Sequence, residues 1–340
     1  MKIADFTKKF VTISTGLTYS YIDQAPRENA AFRGTALCFH GFVSIEFSYG
    51  WRYQINDLSQ RGYRVIVPDM LGYDKPMDNL KPYSFLAAVN AAVEVLEHEK
   101  IEGKVAILGH DWGGFVAWRF LQYQTDRVKC LVSLCTPPFP AAQAGEPRPT
   151  MDSIIQKIPS FGYQKWFSSE DGTDFINSHA REFIYMLYSH IWSDDWKPQK
   201  ENWTLEGKMA EIFKKSQPEL EKLPITSNEL EEYIETFKKG GMRGPLSWYK
   251  TSEVNYEEEI AHKLGPTFPT NVPCFLLVAE HSGALPPSLT NPNLLKQLFP
   301  GENIKKEVLE GADHWLLQDS RVRDKVVKTV GDWVDEHVDN

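Results

Sequence analysis

The chain of 340 residues has no excess of positive charge: 37 Lys and Arg stand against 46 Asp and Glu, a net charge of −9. That excludes the basic footprint of a nucleic-acid binder and the clustered cations that grip an anionic membrane surface. Cysteine is scarce, with only Cys38, Cys130, Cys135 and Cys274, each in or beside an apolar run. They read as buried thiols of a reducing compartment, and no Cys-x-x-Cys or Cys/His cluster suggests a metal. No run approaches the roughly 18 apolar residues of a membrane span. The opening MKIADFTKKFVTIS lacks the apolar core of a secretory signal. Repeats and low-complexity tracts are missing too, and the charge runs at 229–235 and 257–259 read as solvated helix faces. The expectation is a soluble, cytoplasmic monomer or homodimer without cofactor, metal, nucleic-acid or membrane partner.

What is present is ordinary globular chemistry, 42% hydrophobic and 24% charged, on a chain long enough for a large core. Runs of β character at 35–39, 63–67, 105–108, 128–134, 274–278 and 304–309 alternate with helical patterns at 53–60, 84–98, 114–124 and 321–337. Residues 10–14 and 17–22 flank Thr15-Gly16 and read as an opening hairpin. Strands alternating with helices predict an α/β fold: a mostly parallel central sheet flanked by helices. After Thr136 the alternation stops in a stretch rich in proline, and 151–256 is helical, aromatic and poor in strands. The pattern predicts a core of 1–139 and 257–340 with a helical cap, 140–256, inserted between its strands. Long insertions over the C-terminal edge of a sheet usually serve the site.

The most informative segment is Val105-Ala-Ile-Leu-Gly-His-Asp111-Trp112-Gly-Gly114, an apolar strand running through Gly-x-Asp-x-Gly into a helix. The spacing is that of a nucleophile elbow with Asp in place of Ser. Glycines two residues to either side leave room for a sharp turn that pushes the central side chain into the site. A carboxylate, with an ordinary pKa of about 3.9, is already an anion at neutral pH. It suits displacement at a strained or activated sp³ carbon, which leaves an alkyl ester on the protein. Hydrolysis of that ester needs a general base and an oxyanion hole. His314, in Glu310-Gly-Ala-Asp-His-Trp315, follows the last strand and is the candidate base. The backbone N–H groups of Phe42 and Trp112 are the candidate oxyanion donors, while His40 reads as structural.

Together these residues resemble the α/β-hydrolase superfamily in its aspartate-nucleophile branch, and within it the soluble epoxide hydrolases of plant and fungal type. The resemblance spans nearly the whole chain: His40-Gly41, Pro68-Asp-Met-Leu-Gly-Tyr73, the elbow, the cap and Gly311-Ala-Asp-His-Trp315. It implies that two cap tyrosines hold the epoxide oxygen. Tyr249, in Arg243-Gly-Pro-Leu-Ser-Trp-Tyr249, matches a characteristic string, and Tyr163 matches by spacing. An opening epoxide becomes an alkoxide, which a phenol of pKa near 10 can protonate. Trp51, Trp112, Trp166 and Trp248 would wall an apolar pocket, so the implied partner is a hydrophobic small-molecule epoxide. The implied reaction gives a vicinal diol through an ester on Asp111.

Two positions depart from the family pattern. Val43 stands where the turn after His-Gly usually carries Pro, and Ser282 stands where the third triad member is usually Asp. The second common place for that acid, after the strand ending near Cys135, holds Thr136 and Pro137; Glu280 is the nearest acidic candidate. These departures keep two other outcomes open, an epoxide-opening cyclase and a hydrolase-fold ligand-binding protein. Haloalkane dehalogenases share the Asp elbow, but Phe42 occupies the place of their halide-binding Asn, and the tyrosine pair argues against them.

Overall fold

The computed structural model describes residues 5–28, 30–42, 47–73, 77–192, 202–215, 234–235, 237–238 and 240–338. Val43 and most of the 229–235 charge run lie outside the described residues. The apolar runs become eight strands: β1 (Lys8–Thr12), β2 (Thr18–Gln24), β3 (Gly34–Phe39), β4 (Tyr63–Pro68), β5 (Val105–His110), β6 (Val128–Leu134), β7 (Cys274–Ala279) and β8 (Ile304–Leu309). They form one sheet in the order β1-β2-β4-β3-β5-β6-β7-β8. β2 runs antiparallel to β1 and β4, and every other pairing is parallel. All residues of β5 and β7 are buried, as continuous apolar runs require when helices cover both faces, whereas β1 at the edge is half exposed along its length.

The helices are α1 (Arg52–Gln60), α2 (Phe85–His98), α3 (Trp112–Tyr123), α4 (Met151–Lys157), α5 (Tyr163–Phe167), α6 (Glu170–Ser178), α7 (Ala180–Trp192), α8 (Lys208–Lys215), α9 (Arg243–Ser247), α10 (Ser252–Ala261), α11 (Pro292–Leu298) and α12 (Arg323–Val338). α1 packs on α12 and α2 on α3, two pairs that flank the sheet. Ser84 caps α2 by accepting a hydrogen bond from Ala87 N at 3.1 Å. The hydrophobic pattern does not mark α11, although Asn291 caps it and Pro292 opens it. With seven residues it is too short for a 3.6-residue period to stand out.

Among the described residues between β6 and β7 there is no strand. The boundary expected at 256–257 falls inside α10, so a break there would cut a helix. Arg119 of α3 ties both ends of this helical segment to the core. Its Nε meets Glu259 Oε1 of α10 at 2.6 Å, and its guanidinium donates to the carbonyls of Phe139 at 3.0 Å and Pro140 at 3.3 Å. Glu259 Oε2 in turn accepts the Ala142 N–H at 2.7 Å. Nearer the site, Trp248 Nε1 donates to the Leu71 carbonyl at 3.0 Å, and Asn255 Oδ1 accepts Phe85 N–H at 2.8 Å.

Candidate active site

β5 ends at His110, and the chain reverses through Asp111 at φ 55° and ψ −123° before α3 begins. A residue with a side chain in this region of backbone space is strained by roughly 1–3 kcal/mol, so its neighbours must hold it. A Cβ on Gly113 would lie 2.1 Å from the Phe39 carbonyl, and one on Gly41 only 2.3 Å from the Asp111 Cβ. Only glycine fits at either place. Thr136 Oγ1 donates to the Asp111 carbonyl at 2.8 Å, and Tyr73 OH to the Gly41 carbonyl at 3.0 Å.

The turn gives the two oxygens of Asp111 different surroundings. Oδ1 accepts the Phe42 N–H at 2.6 Å, and Oδ2 lies 3.3 Å from His314 Nε2. Trp112 is the first residue of α3, where backbone N–H groups have no partner within the helix. His314 comes from the turn after β8, and its Nδ1 faces Ser282 Oγ at 3.3 Å. Its carbonyl accepts a hydrogen bond from His110 Nε2 at 2.8 Å.

Charge follows from this geometry. Burial alone would raise the Asp111 pKa, but its bond to His314 and the nearby imidazole charge outweigh that and hold it below the usual carboxylate range. Burial likewise works against a charged His314, but its bond to Asp111, the Cys135 thiol and the aspartate charge push it up to about 10. The resting state is therefore a buried carboxylate–imidazolium pair. Burial first, then repulsion from His314, brings His110 down to about 4, so that ring is neutral.

Tyr163 on α5 and Tyr249 in the turn Trp248–Lys250 close the site from above. Their ring centroids are 6.0 Å apart, with the rings set edge to face at 75°. The Tyr249 ring also stands edge-on to Phe42 at 5.0 Å, Trp112 at 5.1 Å and Phe167 at 5.1 Å. Burial raises both phenol pKa values, and the Asp111 charge raises them further. Both therefore remain proton donors. The cavity that Asp111, His314 and the two phenols enclose, walled by Phe167, Leu187 and Trp203, measures about 20 Å³. That is room for about one water molecule. Beyond Trp112 and Tyr249 lies a second cavity of about 490 Å³, which Phe85, Phe139 and Trp248 also line.

The structure thus brings Asp111, His314, Tyr163, Tyr249 and the Phe42 N–H into one place. It corrects other expectations. Trp51 is fully buried beside α1 and lines neither cavity. Trp166 packs on Phe167, Phe175 and Phe213 inside the helical segment and lines neither. Composition cannot separate a core tryptophan from a pocket one; Trp248 does line the larger cavity. Glu280 is not brought to His314: its Oε2 accepts the Gly311 N–H at 2.8 Å and its side chain is 44% exposed. His40 is buried, accepting Met70 N–H at 2.8 Å and donating to the Gly41 carbonyl at 3.0 Å.

The structure adds Trp203, Leu187, His110 and Cys135 to the site, of which the sequence marks His110 only as part of the elbow and Cys135 only as a buried thiol. Leu187 lies on a helix face, Trp203 in a turn, His110 at the end of β5 and Cys135 just after β6, so only the fold brings the four together. The Cys135 thiol and one ring nitrogen each of His110 and His314 lie within 4.8 Å of one another, the one such trio of metal-type donors among the described residues. All four cysteines are free and buried. No helix among the described residues is long and apolar enough to cross a membrane.

The sheet order, the elbow and the order of Asp111 before His314 define a class, and the comparisons agree. The chain belongs to the alpha/beta hydrolase fold family, whose model matches residues 36–320. Within it, the chain falls among the epoxide hydrolases and is a hydrolase. It is 30% identical over 346 residues to epoxide hydrolase srdG of Neurospora crassa, across 97% of this chain and 96% of that one. It is 29% identical to bifunctional epoxide hydrolase 2 of Rattus norvegicus, covering 92% of this chain and about half, 52%, of the rat protein. Epoxide hydrolase A from Mycobacterium thermoresistibile has the same fold, with a TM-score of 0.75 at 24% identity over 97% of this chain and 98% of that one.

Proposed function

We propose that this protein opens apolar small-molecule epoxides to vicinal diols by way of an ester on Asp111. The observation that carries this reading is the unequal environment of the two Asp111 oxygens. Oδ1 is held by the Phe42 N–H, and Oδ2 lies beside His314 under the two phenols. Oδ2 attacks an epoxide carbon and the C–O bond of the ring breaks. A phenol protonates the new alkoxide. The proton needed is the one the resting imidazolium holds. Once Asp111 is an ester it has lost its charge, so His314 loses a main support of its raised pKa, and burial then favours the neutral ring. Attack by Asp111 therefore turns His314 into the base for the next step. His314 takes a proton from water, the hydroxide adds to the ester carbonyl, and the Phe42 N–H and the free N–H of Trp112 receive the oxyanion. Collapse releases the diol and restores the carboxylate–imidazolium pair, so protons balance over the cycle.

In this reading the helical segment from about 140 to 256 acts as a cap, and the larger cavity takes the apolar substituent. Intact-protein mass after mixing with aryl, alkyl and terpenoid epoxides tests it. An added mass equal to the epoxide, missing in Asp111→Ala, with diol appearing as it decays, is the expected result. Turnover in Asp111→Ala, or a cyclic ether in place of diol, overturns it.

A further inference from the structure

We propose that Ser282 is the positioning residue for His314, standing where a carboxylate would, so that the base is oriented at Nδ1 by a neutral hydroxyl in place of a charged partner. The inference rests on the reading of Asp111 as nucleophile given above. Ser282 is 2% exposed in the turn after β7. Its Oγ is 3.3 Å from His314 Nδ1 and accepts the Leu285 N–H at 3.2 Å. A hydroxyl oxygen has two lone pairs. One takes the Leu285 N–H, and the other is left for Nδ1–H. A proton fixed on Nδ1 leaves Nε2 bare toward Asp111, the tautomer that can accept a proton from water.

The remaining polar groups around His314 do other work. Asp111 meets Nε2, and His110 is neutral and donates to the His314 carbonyl. The Cys135 thiol donates to the His314 carbonyl at 3.7 Å, and the Tyr163 and Tyr249 phenols lie across the cavity. The Asp313 carboxylate accepts the backbone N–H of His314, and Glu280 is turned to Gly311. A hydroxyl therefore meets Nδ1 at the place of an acid.

The two half-reactions then depend on Ser282 differently. Ester formation uses Asp111, the phenols and the proton that His314 already holds at Nε2 beside Asp111, so it does not require His314 to gain a charge. Ester hydrolysis passes through an imidazolium, which a neutral hydroxyl stabilises less than a carboxylate does. In serine triads, disabling the carboxylate lowers kcat by about 10⁴. The ester on Asp111 should consequently accumulate during turnover.

Single-turnover mass measurement of ester formation and decay, in the full chain and in Ser282→Ala and Ser282→Asp, tests this. A second readout needs no substrate: the tautomer of His314 by ¹⁵N NMR in Asp111→Asn, with and without Ser282→Ala. Formation at similar rates in all three proteins is expected. Decay should be about tenfold or more slower in Ser282→Ala and about tenfold or more faster in Ser282→Asp. The Nδ1–H form should dominate in Asp111→Asn and give way to a mixture when Ser282→Ala is added. Equal decay in all three proteins overturns the proposal, as does a tautomer indifferent to Ser282→Ala. Slowed decay in Asp313→Asn but not in Ser282→Ala assigns the support to Asp313 and overturns it as well. If no ester forms with any epoxide, it is the reading of Asp111 that fails, and the tautomer measurement still decides whether Ser282 holds His314.

Discussion

A phenol buried beside a carboxylate is a poor acid at rest, and that would suit Tyr163 and Tyr249 to the proposed reaction. With their pKa values raised by burial and by the Asp111 charge, both hydroxyls keep their protons at rest, and in the proposed reaction they would give one up only to an alkoxide, a far stronger base. Both phenols line the same small cavity, so removing one leaves the other as a donor. Tyr163→Phe and Tyr249→Phe should each slow ester formation by about 10- to 100-fold, and the double variant by about 10³-fold or more. Decay of the preformed ester should change little, because the phenols act before it. Single-turnover mass measurement separates the phases; equal slowing of both would place the phenols in ester hydrolysis as well. Tyr249 was legible because its string is distinctive, and Asp111 and His314 because flanking glycines and chain order mark them. Ser282 was legible only as a departure, and its contact with Nδ1 is a product of the fold.

At the scale of elements, one buried ion pair joins the helical segment to the sheet. Arg119 and Glu259 have side chains 8% and 7% exposed, on α3 and α10. Such a pair adds little beyond well-packed apolar residues, yet breaking it strands a charge in the interior. Glu259→Gln should lower stability by about 3 kcal/mol, read as a shift in the urea midpoint, while Arg148→Ala, in an exposed pair with Glu253, should be near neutral. A small loss in Glu259→Gln would mean that water reaches the guanidinium. The clamp also explains where reading the sequence succeeded and stopped. β5 and β7 announced themselves because sheet and helices bury both their faces, so six-residue apolar runs had one meaning. The helical segment was recognisable as an interruption, but nothing local in Ser252–Ala261 says that Glu259 points inward. Its partner lies 140 residues away.

For the whole molecule, the imidazoles of the site link folding to pH in two opposite directions. His110 and His40 are held neutral by burial, with pKa values below the ordinary 6.5, His110 at about 4. Below pH 6.5 the unfolded chain binds protons that these rings refuse, so stability rises as pH climbs from about 4 to 6.5. His314 is the reverse case. Its folded value of about 10 exceeds the ordinary 6.5, so its contribution is complete below pH 6.5 and is lost as pH rises toward 10. Asp111, lowered from 3.8, contributes fully above that value and loses its share only in stronger acid. Together these groups place the stability maximum near pH 6.5, with an alkaline limb that belongs to the His314–Asp111 pair. Urea unfolding at pH 5, 6.5, 8 and 9.5 should show that maximum in the unaltered chain. In Asp111→Asn the alkaline limb should flatten, because His314 then has no carboxylate to hold its proton. The acid limb should remain, because His40 and His110 stay buried. Lysines and exposed tyrosines titrate alike in both proteins and cancel in the difference. An alkaline limb of unchanged slope in Asp111→Asn would show that the resting pair is not charged, and with it the proton that the first half-reaction draws from His314 would have to come from elsewhere.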